Sequence, residues 1–232
     1  MKRVQARGII DYMRRVLGYI SKVFRMAMVA ELADRDPTVG VGDAIEKRVG
    51  GHFAAITEPA KVGALLRAIY VYERAPTTRA TLKLAPMPFQ RPHMLREAEW
   101  KGIDLDAAVW QISADKMKMD KDHIVPLPTQ AIEILRELKA ITGHGQYVFA
   151  HHRPGRPMSE NKINAALRTL GYGGDAMVGH GVRAMARTIM DEILGKRVDL
   201  IEHRVAHAVK DVNGRAYNRS THLEARKEMM QR

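Results

Sequence analysis

The 232-residue chain contains no cysteine. That removes disulfide frameworks, thiolate zinc sites, iron–sulfur clusters and cysteine nucleophiles, and it suits a reducing compartment. Aromatic residues make up only 6% of the sequence, too few for the stacking surfaces by which proteins read single-stranded RNA. Apolar stretches such as Met26–Ala30 fall far short of the roughly 20 residues that span a bilayer. No signal-peptide core follows the basic start. These absences predict a cytoplasmic protein with no membrane role.

Negative charge is in short supply as well. Lysine and arginine number 38 against 26 aspartates and glutamates, a formal net charge of +12. An excess of this size points to a polyanionic partner, because each phosphate neutralised releases condensed counterions. Residues 1–50 carry 10 basic and 6 acidic side chains, 51–150 carry 13 and 11, and 151–232 carry 15 and 9. The two ends are basic and the middle is nearly balanced.

The first 33 residues read as an amphipathic helix with Ile9, Ile10, Met13, Val16, Leu17, Ile20 and Phe24 on one stripe. Asp36, Pro37, Gly40, Gly42, Gly50 and Gly51 then predict an interdomain linker. Thr57 and Pro59 open a helix with Val62, Leu65, Leu66, Ile69 and Tyr70 on its apolar face, followed by a companion over 78–88. Two β-type runs, 109–113 and 123–127, flank the polar connection 116–122, which predicts a two- or three-stranded antiparallel sheet. Thr129 is expected to cap a helix that Gly143 stops, and Ser159 one that ends near Gly171. Helices over 180–194, 199–206 and 221–230 complete the reading. The fold class is mainly α with a small antiparallel sheet, an α+β arrangement, with a partial helical domain over 1–50 ahead of a larger domain over 51–232.

Single motifs decide little in this chain. His180 and Arg183 are three apart and would share a helical face suited to gripping a phosphate, but His93 and Arg96 repeat that spacing. His203 and His207 have the spacing of a helical metal pair, yet no acidic base lies between them and Arg204 places a cation there. No metal or other cofactor is therefore expected.

An ordered set carries more weight. Arg91 follows a hydrophobic helix, Lys118 lies in the β-connection, His180 stands with Arg183, and His207 in Val205-Ala206-His207 precedes Tyr217 in Ala216-Tyr217-Asn218-Arg219. With the flanking Phe89-Gln90-Arg91-Pro92, Glu99-Trp100-Lys101-Gly102-Ile103-Asp104-Leu105 and His123-Ile124-Val125-Pro126-Leu127, this set resembles the tyrosine recombinase family, the prophage integrases above all. The similarity spans most of residues 53–232 and extends weakly into the first helix.

The resemblance implies a site-specific DNA recombinase that cuts and rejoins duplex DNA through a 3′-phosphotyrosyl link, to integrate or excise a prophage or genomic island. Arg91 and Arg183 would grip the scissile phosphate, and Tyr217 would attack phosphorus. Lys118 would protonate the leaving 5′ oxygen, His180 would assist proton transfer at the tyrosine, and His207 would hydrogen-bond the phosphate. Lys116 shares a strand face with Lys118, so periodicity cannot choose between them. The resemblance further implies attachment-site DNA as partner, a homotetramer on that DNA, an accessory DNA-bending protein, and a nucleoid-associated place in a bacterial cytoplasm.

Residues 1–50 would be the end of the core-binding domain plus linker, and 51–232 the catalytic domain. Two departures stand out. Met94 occupies the position where the family usually has an acidic residue that orients the arginine, with Glu97 and Glu99 as possible substitutes. The last helix ends where related chains usually continue, and the arm-binding region common in integrases has no counterpart in the 232 residues. A non-catalytic, degenerate DNA-binding prophage remnant is the alternative these departures raise.

Overall fold

The computed structural model describes residues 10–45, 52–117, 122–204 and 223–231. Its contacts divide the chain into two compact units, Met1–His52 and Phe53–Arg232. In the first unit helix α1 spans Ile10–Val29. Met13 is buried, and Ile10, Val16, Leu17, Phe24 and Ala27 are half-buried at spacings of three, four or seven. The helix stops at Val29 because Glu31 turns left-handed (φ 56°) and the Leu32 N–H reaches back to the Ala27 carbonyl at 2.8 Å.

The turn-rich stretch that reads as a linker is fastened to this helix as far as Ile45. Asp36 accepts hydrogen bonds from the Ser21 hydroxyl (2.6 Å) and from the Thr38 amide (2.8 Å). Arg14 Nη2 donates to the carbonyl of buried Ile45.

The second unit opens with α2 (Pro59–Tyr70) and α3 (Pro76–Leu84), each with proline in its first turn, where the missing N–H costs nothing. Val62, Leu65 and Ile69 are buried as the periodicity requires, whereas Tyr70 turns outward and carries Lys83 Nζ 4.8 Å above its ring. A short helix, α4 (Pro92–Arg96), precedes the sheet.

Strands β1 (Ile103–Asp104), β2 (Val109–Ile112) and β3 (His123–Pro126) run antiparallel in the order β1-β2-β3. Trp110 faces both Ile103 and Val125, and Ile112 faces His123. The β1–β2 turn is closed by Asp104, whose carboxylate accepts the amides of Asp106 and Ala107.

Helix α5 (Thr129–Thr142) begins and ends where expected, but Pro128 is its cap. The Thr129 amide and hydroxyl turn instead to Gln231 Oε1, at 3.0 and 3.1 Å. Gly143 is the C-cap, its amide on the Lys139 carbonyl, and the position needs glycine because a Cβ there would stand 2.3 Å from that oxygen. Helix α6 (Lys162–Thr169) starts three residues after Ser159, which supplies only its carbonyl to the Lys162 amide, so Asn161 holds the cap position.

Helix α7 (Gly181–Thr188) widens into a π-turn at Ile189–Ile193 and is followed by α8 (Val198–Arg204) and α9 (Leu223–Gln231). The main core joins α2–α7 to the sheet. A second cluster of Phe89, Ala186, Met190, Leu200, Ile201 and Met229 gathers the loop before α4 with α7, the π-turn, α8 and α9. The architecture is mainly α with one small antiparallel sheet. Leu65 is 1% exposed, so Leu65→Ala is expected to cost about 2–5 kcal/mol of stability in urea titrations. Tyr70→Ala should cost no more than about 1 kcal/mol.

Candidate functional site

Two stretches about ninety residues apart build the site. Arg91 is the cap residue of α4, extended at φ −60° and ψ 144°, the conformation a following proline favours. His180 caps α7, and Arg183 lies in its first turn. Arg183 Nη1 donates to the Phe89 carbonyl at 2.8 Å, which brings α7 against the residue two before Arg91. The His180 ring stacks on Phe53 with centroids 4.5 Å apart. Gly181 allows this packing, because a Cβ there would stand 2.0 Å from the Ala54 carbonyl oxygen.

The titration behaviour reports the same proximity. Burial first, then Arg91, pulls the Arg183 guanidinium down to about 10, against a weaker opposing pull from Glu202. Burial lowers His180, followed by the fields of Arg183, His93 and Arg91. Burial also lowers His93; Glu97 opposes it, and Arg91, Arg96 and Arg183 add to it. Arg91, His93, His180 and Arg183 therefore lie in one another's field, and both histidines are biased toward the neutral state at pH 7.

Nearby carboxylates are engaged elsewhere. Glu97 pairs with Arg96, and Glu202 takes Arg187 Nε at 2.7 Å. Buried Glu99 pairs with Lys101 at 2.8 Å and with Lys116, which hold its carboxyl down at about 2. Neither Glu97 nor Glu99 thus takes the orienting place suggested for it. Met94 is a core residue, 5% exposed. The site is a cluster of basic side chains built to receive an anion.

Of the six residues singled out from the sequence, the fold brings Arg91, His180 and Arg183 together. Lys118, His207 and Tyr217 lie outside the described residues. Lys116, the competitor of Lys118, has its ammonium on Glu99. A cavity of about 720 Å³ lies beside His93, between α4 and the open ends of β2 and β3, and its walls carry acids (Glu97, Asp122) as well as bases. Among the described residues no cluster of His, Asp or Glu could hold a metal ion, and no helix is long and apolar enough to cross a membrane.

Four further residues were missed in the sequence. Phe53 and Gly181 shape His180. Gln90 and Arg204, buried at 5% and 0% exposure, hold the loop before Arg91. Phe89 in that loop is left-handed (φ 54°), a conformation that costs an aromatic residue about 1–3 kcal/mol and places its ring in the second cluster. Phe89 and Gln90 stand in the motif around Arg91 and Gly181 stands beside His180, but nothing local in the sequence gives them these roles.

Comparison with known proteins gives the chain its family. Residues 57–224 match the phage integrase family. Over 229 residues the chain is 37% identical to prophage integrase IntA of Escherichia coli K12, covering 98% of this chain and 55% of that protein. It is 32% identical to the integrase of Enterobacteria phage P4, covering 100% and 56%. The chain belongs to the phage integrase family, and it spans a little over half the length of these two relatives.

The fold is shared with lambda integrase, solved as a dimer bound to a COC′ core site (TM-score 0.67, 19% identity, 90% of this chain and 76% of that one). It is also shared with the Tn1549 transposon integrase in complex with circular-intermediate DNA (TM-score 0.62, 12% identity, 98% and 81%).

Two predictions follow from the packing and charge of this region. His123 is driven down to about 4, by burial first and then by Arg226. The unfolded chain takes up that proton near pH 6.5, so stability is complete above 6.5 and falls by up to about 3 kcal/mol toward pH 4. For Glu99 the loss comes between its ordinary 4.5 and about 2. Urea midpoints against pH should therefore flatten in the upper window for His123→Gln and in the lower one for Glu99→Gln. Gly181→Ala should push 54–55 off α7 and lower the melting temperature, with loss of the Phe53–His180 contact visible in the histidine ring resonances.

Proposed function

We propose that this chain carries the catalytic part of a site-specific DNA recombinase, which cuts and rejoins duplex DNA to integrate or excise a prophage or genomic island. The observation that carries this reading is the mutual approach of Arg91, Arg183, His180 and His93. A phosphodiester in displacement concentrates negative charge on its non-bridging oxygens, and forked guanidinium donors answer that charge in a way lysine cannot.

Tyr217 is the nucleophile. Its phenolic oxygen bonds to phosphorus as the bond to the 5′ oxygen breaks, leaving a 3′-phosphotyrosyl link that conserves the energy for rejoining. His180, biased toward its neutral form, accepts the phenolic proton. Lys118 supplies a proton to the departing 5′ oxygen, and His207 donates a hydrogen bond to the phosphate. The reverse attack by a 5′ hydroxyl reseals the strand, with no cofactor or metal.

Residues 51–232 form the catalytic domain in this reading and 1–50 the end of a core-binding domain. The partner is duplex attachment-site DNA, in keeping with the +12 charge. Lambda integrase has been solved as a dimer on a core site and as a tetramer on a Holliday junction, which supports a homotetramer assembled on DNA here. An accessory bending protein and a place in the bacterial cytoplasm complete the reading.

A duplex nicked beside the scissile phosphate should trap a protein–DNA adduct on denaturing gels. Tyr217→Phe should give none, and Arg183→Lys should form it about 100- to 1000-fold more slowly. Lys118→Ala should be rescued by sulfur in place of the 5′ bridging oxygen, which leaves without a proton. Lys116→Ala should instead lose stability through Glu99 while keeping its cleavage rate. Salt-sensitive duplex binding with no adduct from the wild-type chain on any attachment site would overturn the catalytic reading in favour of a DNA-binding remnant.

A further inference from the structure

We infer that Gln90 and Arg204 are positioning residues that fix the two phosphate-gripping arginines relative to each other; the inference rests on the function proposed above. Three successive carbonyls ahead of Arg91 each receive a side-chain donor. Met87 O accepts from Arg204 Nη2 at 3.3 Å, Pro88 O from Gln90 Nε2 at 3.1 Å, and Phe89 O from Arg183 Nη1 at 2.8 Å. Gln90 Nε2 also donates to the Arg204 carbonyl at 2.9 Å, and Arg204 Nη1 donates to Pro126 O at the end of β3. One network thus joins the strap 87–91 to α7, α8 and the sheet.

The strap needs outside donors. It pairs with no strand, and the left-handed turn at Phe89 persists only where its surroundings over-determine it. Gln90 Nε2 donates to two carbonyls and lies 3.4 Å from His123 Nε2, while its Oε1 finds no partner among the described residues. Its function in the fold therefore lies in donation.

Arg204 is fully buried, held below its ordinary value by burial and then by Arg226, and its guanidinium donates to the carbonyls of Pro126 and Met87. An apolar side chain would fill that volume without the penalty of a buried cation, but it could not tie two carbonyls from different segments. Arg204 is also the last residue of α8, three before His207, so the Gln90–Arg204 contact links the sequence flanking Arg91 to the sequence flanking His207.

A merely structural plug and a positioning network differ in their substrate response. The test uses the full chain and two nicked duplexes, one with a natural scissile phosphate and one with a methylphosphonate, in which a neutral methyl group replaces a non-bridging oxygen. A less charged phosphate depends less on well-placed guanidinium groups.

Arg91→Ala should be slow on phosphate and largely restored on methylphosphonate. Gln90→Leu, which keeps the volume, should slow adduct formation at saturating DNA about 10- to 100-fold while leaving duplex affinity near wild type. It should recover in parallel with Arg91→Ala on methylphosphonate. Arg204→Met should behave likewise where it folds, as checked by its melting curve.

If Arg91→Ala cleaves natural DNA at the wild-type rate, the functional reading itself fails. If Arg91→Ala is slow and rescued while Gln90→Leu is unimpaired, or equally slow on both duplexes, the positioning assignment is overturned and the functional reading stands.

Discussion

Guanidinium cations held within reach of one another repel, and the site of this protein sets Arg91 and Arg183 in a shared field, with His93 and His180 beside them biased toward their neutral forms. A fold has two ways to make such an arrangement tolerable: carboxylates between the cations, or neutral oxygen dipoles from the backbone. Here Arg183 and Arg204 are tied to carbonyls of the strap 87–89 and of Pro126. Carbonyls lower the cost of burial without cancelling the charge, so in the proposed reading the half-buried Arg183 keeps its attraction for an incoming phosphate, while Arg204, fully buried, serves the scaffold. A carboxylate at the same place would have spent that attraction within the protein.

The placement of the acids obeys the same logic. Glu97, Glu99 and Glu202 surround the cluster, and each has a cation of its own in Arg96, the pair Lys101 and Lys116, and Arg187. Glu99 lies near the base of the sheet, where its amide-flanked segment bridges to Tyr147. Its hold on Lys116 anchors the chain where it leaves β2 for the connection that contains Lys118. Met94 fits this distribution. It packs in the core, away from the charges around it.

Much of the scaffold was legible because its signals are local and redundant. Val62, Leu65 and Ile69 repeat the helical period, and the runs around Trp110 and Val125 have strand composition and a polar connection between them. Thr129 and Ser159 misled because a cap preference is a single-residue signal. A distant Gln231 claimed the threonine, and the chain took three more residues after the serine before closing its first helical turn. At the site, the order of Arg91, His180 and Arg183 along the chain could be read, since it depends on identity and sequence. Gln90 and Arg204 could not, because glutamine and arginine are surface residues by default and only long-range packing makes them core. The left-handed Phe89 is likewise invisible without the second cluster that receives its ring.

That second cluster also bears on the residues of α8 and α9. Leu200 and Ile201 from α8 and Met229 from α9 pack with Phe89, and Arg226 of α9 donates to the Ile124 carbonyl of β3. The last residue of α8 and the first of α9 therefore belong to the same body that carries the strap of Arg91; 205–222, with His207 and Tyr217, lies between them in sequence and outside the described residues. Both helices are fixed to the cluster that holds Phe89, α8 through Leu200 and Ile201 and α9 through Met229. Any displacement of the strap is thus shared with α8 and α9, whose packing on Phe89 gives these elements and the segment of Arg91 one mechanical frame of reference.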